Sequence, residues 1–498
     1  MNKFLLYLCI ISASISICFA AASAKTINFQ DTVFREAVNL DYFRRHPSDG
    51  VEIDSTRSPQ APALIFHNPI SFRDAHFGFP ADFGHMHFDS RANFINVHAE
   101  SSAVFAYVTF DSMAHFGLAQ FAFPANFSHA RFETSANFQG TRFDNADFQS
   151  AYFGDTAHFG ATCFNSWANF TRAQFASYSI FKDARFASSV LFYSAVFDST
   201  ANFWSAKFDS LTSFREVRFA SSAVFYGARF LDAVSFYKAE LPRELDFRFV
   251  THISEEIDLS FALLDSAAPK CQIALVGSNI SKIKLDMRLF ELWFPADTTW
   301  VRDALYKNTD TVESIDSITY DQRIGVYEQV LKKLKDDGFM ESYKMLDIDY
   351  KRLKYDHMSE KWYLWPVATF LNIFQVIWWN YGYSPELVFL WTFGLWLVIF
   401  SPVNLWLYPR LSQELYVIDF LEKKRELYLG KGKARNYPYY GIHVITYTAI
   451  IFFGLKMDLD KFEEGAVKNH PALFSYLMLI YASGLFCLGF IVNIIFTR

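Results

Sequence analysis

Basic and imidazole side chains return at a fixed interval along the first half of this sequence. His76, His98, Gln120, Arg142, Cys163, Arg185, Lys207 and Arg229 are spaced by 22 residues, with one interval of 21. If each interval is one coil of chain, these side chains stack about 4.8 Å apart. His76, His98, Arg142, Arg185, Lys207 and Arg229 then form a basic stripe, chemistry suited to a polyanion or to the acidic face of a protein. Glu100, Asp144 and Asp209 follow in the same units and compensate part of it, so a solvated face is the competing reading. His76 and His98 would be neighbours able to share a metal, but no third ligand is evident, and no metal is assigned. His115 and His158 would lie two coils apart, too far to share an ion. The sequence has no nucleophile elbow, His-Glu-x-x-His pair, phosphate loop or dinucleotide fingerprint. It is therefore read as carrying no catalytic residues, no cofactor and no enzyme activity.

The elements that would position the stripe are written in phenylalanine. From Phe66 to Phe236 a Phe recurs at alternating steps of five and six residues, filling 31 of 32 slots, with Ala99 in the remaining one. A one-residue deletion between Phe138 and Phe148 shifts the count once. A short, fixed period marks a solenoid, whose units bury their apolar sides only by stacking. An α-helical explanation fails, because positions five apart lie about 140° apart on a helix and the Phe series would occupy opposite faces.

The units Ala92-Asn93-Phe94, Ala136-Asn137-Phe138 and Ala201-Asn202-Phe203 resemble pentapeptide repeats. The resemblance implies a right-handed quadrilateral β-helix, with the small residue and the Phe pointing inward and the residue between them outward. It covers about a third of the chain. At roughly 4.8 Å per coil, eight coils give a rod of about 38 Å. Some rods of this family mimic DNA, which requires a strongly acidic surface. Between residues 66 and 236 there are 14 Asp/Glu against 11 Lys/Arg, and no nucleic-acid role is assigned.

The flanking sequence completes the plan. Lys3, the apolar run Phe4 to Phe19 and Ala22-Ser23-Ala24 read as a secretory signal over residues 1–24, which would place the solenoid outside the cytoplasm. The remaining cysteines, Cys163, Cys271 and Cys487, form neither a disulfide framework nor a metal cluster. Residues 25–65 open the solenoid and carry a charged insertion from Asp41 to Pro62 that would cover its end. Residues 66–236 are the repeat region, and residues 237–317 are read as irregular terminal coils and a cap. Residues 318–361 have the spacing of a helical hairpin, read as a connector.

Residues 362–498 are membrane-like. They comprise an interfacial helix at 362–379, a span at 385–407, a short span or re-entrant helix at 440–455, and a span at 471–496. The basic run Lys423 to Arg435 marks a cytoplasmic loop, and Asp458 to Glu464 an acidic one. The order of span, short apolar helix ending in glycine and span resembles the two-helix potassium-channel-like module. It implies a pore-like segment at Thr446, Thr448 and Gly454 and, for conduction, a homo-oligomer. Only Gly454 matches a filter-type run of carbonyls. The whole reads as a β-helical rod, a helical hairpin and a transmembrane helical domain in the cell membrane. Its partners would be the lipid bilayer and a protein or polyanion along the rod. An oligomeric ion-channel-like protein with the rod as sensing or assembly domain is the alternative.

Overall fold

The computed structural model describes residues 26–46, 48, 50–54, 63–264, 269–295, 318–418, 421, 437–455 and 468–497. The leader at 1–24, the basic run Lys423 to Arg435 and the acidic residues Asp458 to Glu464 lie outside them. The chain divides into two units, Met1–Leu346 and Asp347–Arg498.

The first unit is a β-solenoid of about ten turns. Each regular turn gives one two-residue strand to each of four parallel sheets. In the first sheet Ala92–Asn93 pairs with Ala114–His115, and in the second His98–Ala99 pairs with Gln120–Phe121. In the third Ala103–Val104 pairs with Ala125–Asn126, and in the fourth Thr109–Phe110 pairs with Arg131–Phe132. Each partner lies 22 residues on. Across Asp144-Asn145 the step is 21, as in Ala125↔Ala146. That deletion falls in a corner, so the strand register on either side is kept.

Two kinds of corner explain the alternation of five and six. The five-residue corner is a tight turn whose third residue has positive φ, as at His85, Asn96 and Tyr107 (φ 62°, 52° and 58°). This left-handed backbone costs a non-glycine residue about 1–2 kcal/mol. Two bonds hold it in place: Val97 N–H donates to Phe94 O, and the Asn96 N–H donates to Gly117 O on the next turn. The outward Asn of the Ala-Asn-Phe unit adds a third, since Asn93 Oδ1 accepts from Ile95 N–H at 3.0 Å and Asn137 Oδ1 from Gln139 N–H at 2.8 Å. This Asx bond gives the unit its Asn. The six-residue corner is an open bend that accommodates the additional residue.

Inside, the Phe rings form four columns. Phe94, Phe116 and Phe138 stack face to face at 4.8 and 4.9 Å. The column from the third sheet meets them edge-on, as with Phe94 and Phe105 at 5.3 Å and 88°. Offset-stacked and edge-to-face contacts suit the aromatic quadrupole, and each fully buried Phe adds roughly 2–3 kcal/mol of transfer free energy. The small residues fill the positions beside the strands. Where Thr replaces Ala, at Thr141 and Thr162, its hydroxyl donates to Phe116 O and Phe138 O.

Both ends of the stack are covered, as exposed edges require. Asn39 caps helix α1 (Leu40–Arg45), accepting from Tyr42 N–H. Phe43 of this helix packs on Phe29, Phe66 and Phe83 of the first turns. The strand Val51–Asp54 pairs antiparallel with Ala63–Phe66 at the start of the fourth sheet. At the other end the first sheet continues through Glu244–Asp246, Cys271–Ala274 and Phe290–Leu292.

Helix α2 (Tyr320–Asp336) begins with a capping box between Thr319 and Gln322. It packs on the short helix Ile280–Lys282 and buries Val326, Val330, Leu331 and Leu334. At the start of α3 (Met340–Ser359), Ser342 Oγ accepts from Met287 N–H and donates to Asp286. The first helix of the hairpin thus belongs to the solenoid unit as its lid.

The second unit holds α4 (Trp365–Trp379), α5 (Glu386–Arg410), α6 (Tyr437–Phe452) and α7 (Pro471–Thr497). α5 and α7 are long and apolar enough to cross a membrane. α5 carries a π-type stretch at Gly394–Phe400, just before Pro402, whose ring cannot donate to an ordinary helical ladder. Trp378, Val388, Phe400, Val444, Ile451, Leu477 and Ile480 form the centre of its core.

Candidate functional site

The second sheet carries the basic series in continuous register. His76↔His98, His98↔Gln120, Gln120↔Arg142, Arg142↔Cys163, Cys163↔Arg185, Arg185↔Lys207 and Lys207↔Arg229 are direct partners. Arg142, Arg185, Lys207 and Arg229 are exposed, because alternate residues of each strand point away from the Phe column. Arg185 Nε is bonded to Asp209 Oδ2 at 2.7 Å. The compensation expected from the acidic residues therefore takes a definite form at one rung.

His76 and His98 stack with ring centroids 4.6 Å apart and planes 7° from parallel. Imidazole lone pairs lie in the ring plane, so two rings stacked face to face do not aim their nitrogens at a point between them. Burial, and then the His76 charge, hold His98 below the ordinary imidazole range. His115 and His158 stand two turns apart on the first sheet with Asn137 between them, and Asn137 Nδ2 bonds His115 Nε2 at 2.9 Å.

A second titratable cluster sits on the fourth sheet and its adjoining corner. His87 Nε2 lies 2.9 Å from Asp111 Oδ2 and 3.3 Å from Asp89 Oδ1. Asp89 Oδ2 is 2.6 Å from His67 Nδ1, whose other nitrogen is 3.0 Å from Glu52 Oε2. Hydrogen bonds donated to Glu52 and then to Asp89 hold His67 above the ordinary imidazole range. The group is not apparent from the basic column, because its residues belong to the units of a different sheet and combine a residue before the Phe with residues after it. Asp89 and Asp111 follow Phe88 and Phe110 at the same 22-residue interval, which is the signal that could have found them.

The pore-like residues separate in the helical unit. Thr446 Oγ1 donates to Ile442 O within α6. Thr448 is fully buried: its Oγ1 donates to Val444 O and accepts from Asn404 Nδ2 at 2.9 Å. Asn404 Oδ1 in turn accepts from Tyr476 OH at 3.0 Å, tying α5, α6 and α7 together. Gly454 has φ +63° and ends α6, with Leu455 N–H donating to Ile450 O, the geometry of a left-handed helix cap.

No family model, no curated protein and no solved structure matches this chain. Among the described residues, Cys271 and Cys487 are buried and Cys163 is half-exposed on the second sheet.

Proposed function

We infer that this protein is a membrane-tethered binding rod. In this reading the solenoid is a right-handed quadrilateral β-helix of the pentapeptide-repeat type. Its C-terminal helices anchor it, and it engages a protein or polyanion along its side without catalysing a reaction. The observation that carries the tether is the exposed apolar surface of the helical unit. Only 22% and 17% of the most apolar windows of α5 and α7 are buried. Phe389, Leu390, Val398 and Trp406 are exposed on α5, as are Leu479, Phe486, Ile495 and Phe496 on α7. A helix at the core of a soluble domain would bury such residues, whereas acyl chains would cover them. Trp362 and Trp365, also exposed, suit the bilayer interface.

The binding role rests on the basic column, in which Arg185, Lys207 and Arg229 are partners on successive turns and Arg142 stands two turns before Arg185. Placement of the rod outside the cytoplasm rests on the leader-like start of the sequence. The channel-like alternative keeps the helix order, but its Thr448 is committed to Asn404 and its Gly454 to a helix end. Reconstitution of the full chain into liposomes tests both readings, with alkaline extraction, potassium flux and retention on immobilised heparin as readouts. A tethered rod resists extraction and passes no flux. It binds heparin, and the variant R142E/R185E/K207E/R229E elutes at clearly lower salt. Release by alkali overturns the tether, and flux from inserted protein replaces the rod reading with the channel. External thiol labelling in intact cells, with C163S as control, tests placement: a protected Cys163 overturns export.

A further inference from the structure

The cluster on the fourth sheet has donors of the right kind and spacing for a metal ion. His87, Asp89 and Asp111 each offer one donor atom, and the three atoms lie within 4.8 Å of one another. Ligands bound at about 2.0–2.2 Å sit about 2.8–3.1 Å apart in octahedral and about 3.3–3.6 Å apart in tetrahedral geometry. The His87–Asp111 and His87–Asp89 separations, 2.9 and 3.3 Å, already match the edges of such a sphere.

The group is more than a set of acidic side chains. Its nitrogen donor sits in a strand and its oxygens sit at the matching corner positions of two successive turns. Parallel pairing of Ile65–Phe66, His87–Phe88 and Thr109–Phe110 fixes their spacing. Among the described residues, the cations facing these carboxylates are imidazoles. The nearest arginine of the sheet, Arg131, is turned onto Glu133 at 2.7 Å and the ring of Tyr152. Asp89 is itself oriented from behind: its second oxygen is held by His67, which is held by Glu52. A carboxylate–histidine–carboxylate relay of this kind is how outer residues fix the direction of a metal ligand.

We propose that His87 Nε2, Asp89 Oδ1 and Asp111 Oδ2 bind one first-row divalent cation of the zinc class, with His67 and Glu52 as positioning residues. One nitrogen and two carboxylate oxygens form a borderline-to-hard donor set suited to zinc, manganese or cobalt rather than to copper(I). Half-exposed His87 and exposed Asp111 leave the outer side of the ion open to water or to a ligand oxygen. Because the ion joins the turn of His87 to the turn of Asp111, it also braces the N-terminal turns against unravelling.

The test uses the full chain in detergent, stripped with chelator and titrated with zinc by calorimetry, with cobalt(II) absorption as the ligand-set readout. One ion per chain is expected. The exposed-site variant D111N and the variant H87Q each weaken binding at least tenfold and change the cobalt spectrum. E52Q weakens zinc by about tenfold, at the lower end of the effect of losing an outer-shell partner, and leaves the cobalt band positions in place. The control H76Q/H98Q binds as the parent does. Absence of binding at millimolar zinc, or unchanged binding in D111N with its circular dichroism intact, overturns the proposal. Should H87Q fail to fold, D111N alone decides, since its side chain packs against nothing in the core.

Discussion

The solenoid and the helical unit hold themselves together by opposite strategies. In the solenoid the core contacts repeat: a Phe meets the Phe of the next turn and the Phe of the adjoining column, turn after turn. In the helical unit the contacts are unique and distant in sequence. Asn404, Thr448 and Tyr476 meet once, and Gly484 of α7 lies against the backbone of Phe452 in α6. Repetition spreads stability over nearest-neighbour interfaces, whereas a unique contact has no second copy to share its loss. The comparison is tested best by substitutions that remove one kind of contact at a time.

The largest effect is expected in the middle of the stack. Phe159 is stacked on both faces, by Phe138 at 4.8 Å and Phe181 at 5.0 Å. Phe159→Ala should cost about 3–5 kcal/mol in denaturant unfolding of the solenoid. Phe121 is stacked on one face only, by Phe143 at 5.1 Å, because Ala99 occupies the slot below it. Phe121→Ala should therefore cost less, by about 0.5–1.5 kcal/mol, the contribution of one aromatic pair. Equal costs would mean that burial alone, and not ring stacking, sets the strength of each turn.

Second comes the helical unit's own close contact. A methyl added at Gly484 would overlap the backbone carbonyl of Phe452, so α6 and α7 must part to admit it. Small residues permit such backbone approach between apolar helices. Gly484→Ala should lower the stability of the helical unit in detergent by about 1–3 kcal/mol. Gly489, five residues on, has open space around its Cα, and Gly489→Ala should stay within about 0.5 kcal/mol of the parent. A neutral Gly484→Ala would break the claim that this unit depends on unique contacts.

The same contrast explains what the sequence discloses. Strand positions, the inward Phe and the basic column were legible because one rule, applied every 11 residues, is confirmed by dozens of instances along the chain. The corner chemistry was less legible: that Asn93 and Asn137 face outward is in the pattern, but that each bonds the amide two residues on requires the turn geometry. The cluster of His87, Asp89 and Asp111 was hidden for a related reason. One member, His87, lies in a strand and the other two lie at the matching corner position of successive turns, and a residue-by-residue column does not join them. In the helical unit, composition indicated the apolar helices at 385–407 and 471–496. It carried no signal that Thr448 would be spent on Asn404 rather than on a shared lining, because helix pairing depends on rotation about each axis.

The smallest expected effect concerns pH, and it also separates the two regions. On the solenoid, burial holds His98, His115 and His158 below the ordinary imidazole range, aided by His76, Arg91 and His115 respectively. A histidine whose folded value is depressed binds fewer protons when folded than when unfolded at mildly acid pH. Its stabilisation is thus complete above about pH 6.5 and is lost as pH falls below that value. His67, with its value raised by Glu52 and Asp89, acts in the opposite sense, so three groups oppose one. The solenoid should lose a few degrees of Tm between about pH 7.5 and 5.5. The double variant H115N/H158N gives these positions the residue that Asn93 and Asn137 already supply in the same column. It should flatten the slope without lowering Tm at the higher pH. An unchanged slope would locate the acid response outside the first sheet. A slope carried by the helical transition instead of the solenoid's would show that the uniquely packed unit is also the one sensitive to acid.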